Sequence, residues 1–170
     1  MGAPFTWGGA IIAGLAGTLV MTMVMLAGPM MGMPKMDIMG MLGSMVSSDT
    51  KVARSFGGMM HLVMGIIFAL IYAAIWHAGL GTANWWIGGV FGLVHGLIVS
   101  AMMPMMVRMQ ARRTQTAPAG GTATGRSAMS VNGGTATMSM TPKTIMGLLM
   151  GHIVFGVVVA LVYAGFTRPI

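Results

Sequence analysis

The sequence has no cysteine and only two acidic residues, Asp37 and Asp49, in 170 positions. The first absence excludes disulfides, thiolate metal sites and cysteine nucleophiles, and leaves the redox compartment unspecified. The second leaves few acid–base groups with which to catalyse a reaction. Charged residues make up 6% of the chain, against about 25% in an ordinary soluble domain. A soluble globular fold does not fit that balance. Also missing is a basic segment ahead of the first apolar run: "MGAPFTWGG" carries none, and the run outlasts the h-region of a signal peptide. The first run is therefore expected to stay as a helix.

Apolar length is what the chain does have. Hydrophobic residues make up 56% of it, concentrated near 8–33, 57–79, 85–107 and 144–166. Each run reaches the roughly 20 residues that cross about 30 Å of hydrocarbon as helix. The expected fold class is all-α, a polytopic membrane protein of four transmembrane helices in a single membrane domain, 1–170. Between the first two spans, "MPKMDIMGMLGSMV" has Pro34 as a stop followed by apolar residues, which predicts a short interfacial helix over about 36–46. The segment 109–143 is rich in Gly, Thr, Ser and Ala and is expected to be a flexible cytoplasmic loop.

The net charge of +7 follows topology. Lys35, Lys51 and Arg54 fall in the first loop, and Arg108, Arg112, Arg113, Arg126 and Lys143 in the third; the second has none, and Arg168 alone lies at the opposite end. The positive-inside rule then puts both basic loops in the cytoplasm and both termini outside. Such residues at helix ends suit anionic lipid head groups. No basic stripe interleaved with aromatics exists, so nucleic acid is not an expected partner.

The chain also repeats itself. "HLVMGIIFALIYA" from His61 aligns with "HIVFGVVVALVYA" from His152, with His, Val, Gly, Ala, Leu, Tyr and Ala coinciding. "GLAGTLVMTMVM" from Gly14 and "GLVHGLIVSAMM" from Gly92 match less closely. The pattern predicts two repeated helical hairpins running in the same direction about a pseudo-two-fold axis along the membrane normal. Small residues recur every four positions, as in Gly88, Gly92, Gly96 and Ser100 or Gly156, Ala160 and Ala164. They allow the close backbone approach that holds helices together in lipid.

Ionisable side chains inside a span are candidates for function by default. His61 and His152 head the two matching runs, and His95 borders the small-residue face of the third span; His77 falls at the outer end of the second. Two imidazoles meeting at the axis suit a metal ion or both axial positions of a b-type haem. The same imidazoles serve equally as a proton relay or as hydrogen-bonding links between helices. The second anomaly is 24 methionines, which in the spans crowd into the cytoplasmic halves. Thioether sulfur favours Cu(I), so Met60, Met64, Met103 and Met150 join His61 and His152 as candidate ligands. Against that, methionine is also a flexible filler and an adaptable docking surface, and these follow no fixed period.

Enzyme signatures are missing. "GGAIIAGLAG" is followed by no Gly-Lys-Ser or Gly-Lys-Thr, Ser100 is off the face of His95, and no His-Glu-x-x-His occurs. The chain is not expected to be an enzyme.

The stretches "AGLAGTLVMTMVML", "MGMPKMDIMGMLGSM", "GGMMHLVMGIIFALIYA", "GGVFGLVHGLIVSAMMPM" and "GHIVFGVVVALVYAG" together resemble an uncharacterised family of small four-helix bacterial inner-membrane proteins, one of the domain-of-unknown-function groups. The resemblance covers nearly everything except about 114–141, where this chain has a longer loop. It implies the fold above and a bacterial inner (plasma) membrane, but no activity, cofactor or partner. The leading expectation is a non-enzymatic helix-packing or accessory subunit without a cofactor, assembling as a homo-oligomer or beside other membrane subunits. The alternatives are a Cu(I) or b-type haem binding protein using the intramembrane histidines, and a small transporter. The duplicated hairpin favours a transporter; the lack of an acid within any span weakens that reading.

Overall fold

The computed structural model describes residues 4–34, 37–47, 49–80, 83–116 and 141–167, with side chains to 108 in the fourth segment. The described residues are helical throughout their regular structure: α1 (Trp7–Ala27), α2 (Ile38–Gly43), α3 (Thr50–Ile75), α4 (Trp85–Thr116) and α5 (Pro142–Thr167). Among them α1, α3, α4 and α5 are long and apolar enough to cross a membrane. Helix is the conformation that apolar runs of this length must take in lipid, because it pairs every backbone N–H and C=O within the segment.

Local chemistry sets the ends. α1 stops where Gly28 and Pro29 tighten the chain into a short turn, Gly28–Met31, closed by Gly32 at φ 77°. Proline cannot donate the next helical bond, and glycine takes the left-handed conformation without a Cβ penalty. The first span therefore ends short of 33. Asp37 caps α2 by accepting from Gly40 N (2.8 Å), and Asp49 caps α3 by accepting from Lys51 N and Val52 N. α3 starts at Thr50 rather than near 57, because Lys51 and Arg54 ride on its first turns. α4 runs to Thr116, beyond the expected 107, carrying Pro104 within it. α5 begins at Pro142, with Thr141 Oγ1 accepting from Thr144 N. Most of the expected flexible loop, 117–140, lies outside the described residues.

α1 lies between α3 and α5, and α5 between α1 and α4. These three seams are close because small residues face each other. A Cβ at Gly14 would stand 2.7 Å from Ile66 Cα; one at Gly92 would strike the His152 carbonyl, and one at Gly156 the Gly88 carbonyl. At Gly17 it would meet Val159 and Phe155 of α5. The fourth side, between α3 and α4, is closed by rings instead. Phe68 and Tyr72 from α3 and Trp76 just after it meet Phe91 and His95 from α4. The main core joins these rings to Ala10, Ala13, Ala69, Phe155, Val159 and Tyr163.

α2 falls within the segment expected to form a short helix. It packs on the start of α3, where a Cβ at Gly43 would strike the Ala53 carbonyl and one at Gly57 the Met39 carbonyl. Arg54 Nη2 pairs with Asp37 Oδ2 at 2.8 Å, tying the cap of α2 to α3.

Candidate functional site

The imidazoles gather where α3, α4 and α5 meet. His95 and His152 are both buried, with ring centroids 4.7 Å apart at 71°. A Cβ at Gly96 would stand 3.1 Å from His152 Cβ, so glycine on α4 makes the space that His152 of α5 occupies. The His152 Nδ1 lies 2.8 Å from the Leu148 carbonyl. A carbonyl only accepts, so Nδ1 carries the proton and the lone pair of the neutral ring sits on Nε2.

His95 is held differently. Its Nδ1 lies 3.2 Å from the Tyr72 hydroxyl, and its ring stacks on Phe68 at 3.7 Å between centroids. Phe155 closes another side at 6.1 Å. His61, on α3, is half-buried. The ring contact is thus made by His152 with His95, the residue on the edge of its small-residue face, rather than with its repeat-matched counterpart His61. Among the described residues no three of His, Asp or Glu group as metal ligands.

The four candidate methionines do not share one place. Met103 is buried against Met41 and Leu148 in a second, smaller core. Met64 is 43% exposed on the outer face of α3, and Met60, also on α3, is half-buried. Met150 lines a cavity between the end of α1 and the start of α5.

A second polar cluster lies at the opposite end. His77 Nε2 is 2.9 Å from the Tyr163 hydroxyl, which also accepts from Thr6 N at 3.3 Å. Phe5 packs edge-on to His77 at 5.4 Å. Trp76 is fully buried between Phe91 and Tyr163, and its Nε1 has no hydrogen-bond partner among the described residues; the same holds for the buried Thr6 Oγ1 and Ser100 Oγ.

The tyrosines were not singled out as site residues from sequence, yet each bonds a histidine. The signal was there: Tyr72 and Tyr163 occupy the same position, eleven residues after His61 and His152. What the alignment lacked was the partner, since each bonded histidine lies on a different helix from its tyrosine. Comparison with protein-family models, curated proteins and solved structures finds no match.

Proposed function

We propose that the chain is a non-enzymatic packing unit of a membrane, working as a homo-oligomer or as an accessory subunit beside larger membrane proteins. The carrying observation is that the two buried imidazoles already have partners inside the bundle: His95 has the Tyr72 hydroxyl and the Phe68 face, and His152 has the Leu148 carbonyl. Polar groups satisfied in this way link helices. The outer surface, by contrast, offers an aliphatic ridge one turn apart on α3: Met59, Val63, Ile67, Ile71 and Ile75, each 43–55% exposed. Such a ridge fits into the groove of a neighbouring helix. The matched hairpin seams, Gly14 on Gly65 and Gly92 on Gly156, support reading the unit as a duplicated hairpin.

We also read the basic end as the cytoplasmic face of a bacterial inner membrane, in keeping with the resemblance noted from sequence. Lys51, Arg54, Arg108 and Lys143 stand at that end, whereas Trp7, Trp85 and Trp86 are exposed at the other. Exposed tryptophans suit a membrane interface.

Self-assembly is tested by crosslinking in native membranes. The chain has no cysteine, so Ile67→Cys introduces a single thiol on the ridge. A disulfide-linked dimer from Ile67→Cys, with none from a matched thiol at the inward Ala69, supports assembly through this ridge. Monomer from both, together with a native mass of one 17.7 kDa chain in mild detergent, overturns self-assembly through this ridge and leaves the accessory-subunit arm, which co-purification of a larger membrane protein crosslinked at Ile67→Cys supports and its absence overturns.

The imidazole pair supports a second reading, binding of Cu(I) or b-type haem. The lone pair of His152 Nε2 stands beside His95, and a proton fixed on Nδ1 by a carbonyl is how ligating histidines are commonly oriented. A reduced-minus-oxidised visible spectrum of the purified protein distinguishes the haem case. A Soret band lost in His95→Ala and His152→Ala supports it, and a flat spectrum removes haem.

A further inference from the structure

The cavity between the end of α1 and the start of α5 is lined by three methionines, Met25, Met33 and Met150. They come from different stretches of chain: Met25 from α1, Met33 from the loop after it, and Met150 from α5. Glycines clear the space around the sulfurs. A Cβ at Gly147 would stand 3.2 Å from Met33 Sδ, one at Gly28 3.7 Å from the same atom, and one at Gly151 3.8 Å from Met25 Sδ. Every donor is neutral. The cavity volume is about 20 Å3, enough to hold one water molecule or one ion.

We propose that Met25, Met33 and Met150 form a binding site for one soft monovalent cation, Cu(I) or its redox-inert analogue Ag(I), at the cytoplasmic end of the α1–α5 seam. Thioether sulfur is a soft donor that discriminates for Cu(I) over hard cations. Methionine's three rotatable bonds let the sulfurs close on an ion in a small space. Access is from the rim, where Lys143 and Pro34 are exposed. Lys143 adds a positive charge to that rim, where its exposure leaves the ammonium solvated. The site shares only Met150 with the histidine–methionine set and depends on neither function proposed above.

Full-length protein in detergent, titrated anaerobically with Cu(I) against a chromophoric Cu(I) chelator, takes up one equivalent. Its X-ray absorption edge region reports sulfur donors alone. Replacing all three by leucine, which conserves volume, removes that equivalent. The exposed pair Met30→Leu and Met105→Leu leaves uptake as it was. The proposal is overturned by no uptake in the native chain, by full uptake after the triple replacement, by nitrogen donors in the absorption spectrum, or by equal losses in the exposed-methionine control. Nitrogen donors would transfer the cation to the imidazole pair.

Discussion

At the scale of single residues, the Tyr72 hydroxyl is the partner that makes a buried His95 tolerable in lipid. Tyr72→Phe keeps the ring contacts with Trp76, Phe91 and Phe155 and removes only the oxygen. An interhelical bond of this kind contributes about 0.6 to 1.7 kcal/mol. The variant is therefore expected to lower unfolding stability in mixed micelles by that amount. Tyr163→Phe should cost as much or more, because the oxygen serves both His77 and the Thr6 amide. A Tyr72→Phe protein as stable as the native chain would show that His95 finds a replacement partner. The sequence placed both tyrosines at equivalent positions, but a hydrogen bond between helices depends on rotation about each helix axis, and a linear pattern does not carry that angle.

At the scale of elements, the seams are set by missing side chains. Gly92→Ala puts a methyl against the His152 carbonyl, which is backbone and unable to rotate aside. Overpacking typically costs about 1 to 3 kcal/mol, so Gly92→Ala should destabilise the bundle by that amount in the same micelle assay. Gly8→Ala meets nothing within 4 Å and should change little. Equal stability of the two variants would contradict close packing of α4 on α5. The short α2 is held by one carboxylate doing two tasks, capping Gly40 N and pairing with Arg54. Loss of a helix cap costs about 0.5 to 2 kcal/mol locally. Hydrogen exchange of the Met39–Gly43 amides should therefore accelerate more in Asp37→Ala than in Arg54→Ala, since the exposed ion pair by itself contributes little. Equal acceleration in the two variants would point to the ion pair as the main tether, because Asp37→Ala removes that pair as well as the cap.

At the scale of the whole molecule, the four long helices alternate in direction. The start of α1, the ends of α3 and α5 and the start of α4 meet at one end, through Thr6, His77, Tyr163, Trp76 and Phe91. If the basic end is cytoplasmic, a thiol placed by Asn84→Cys in the otherwise cysteine-free chain reacts with an impermeant maleimide on intact cells, whereas Ser55→Cys reacts only after permeabilisation. Labelling in the opposite order would invert the topology read from the positive residues.

The sequence by itself determined four apolar runs, their helical state and their small-residue faces, because lipid enforces backbone pairing and close approach through local composition alone. It was less exact about ends. Lys51 and Arg54 looked like loop because they are charged, yet a helix carries exposed long side chains on its first turns without cost to its backbone. Only the tertiary structure decided that His152 faces His95, that Phe68 and Tyr72 cover that pair, and that Met25 and Met33 join Met150 around one cavity. These pairings depend on which helices are neighbours and how each is turned. The period of a helix says which residues share a face, but the face opposite is chosen by packing across the whole bundle.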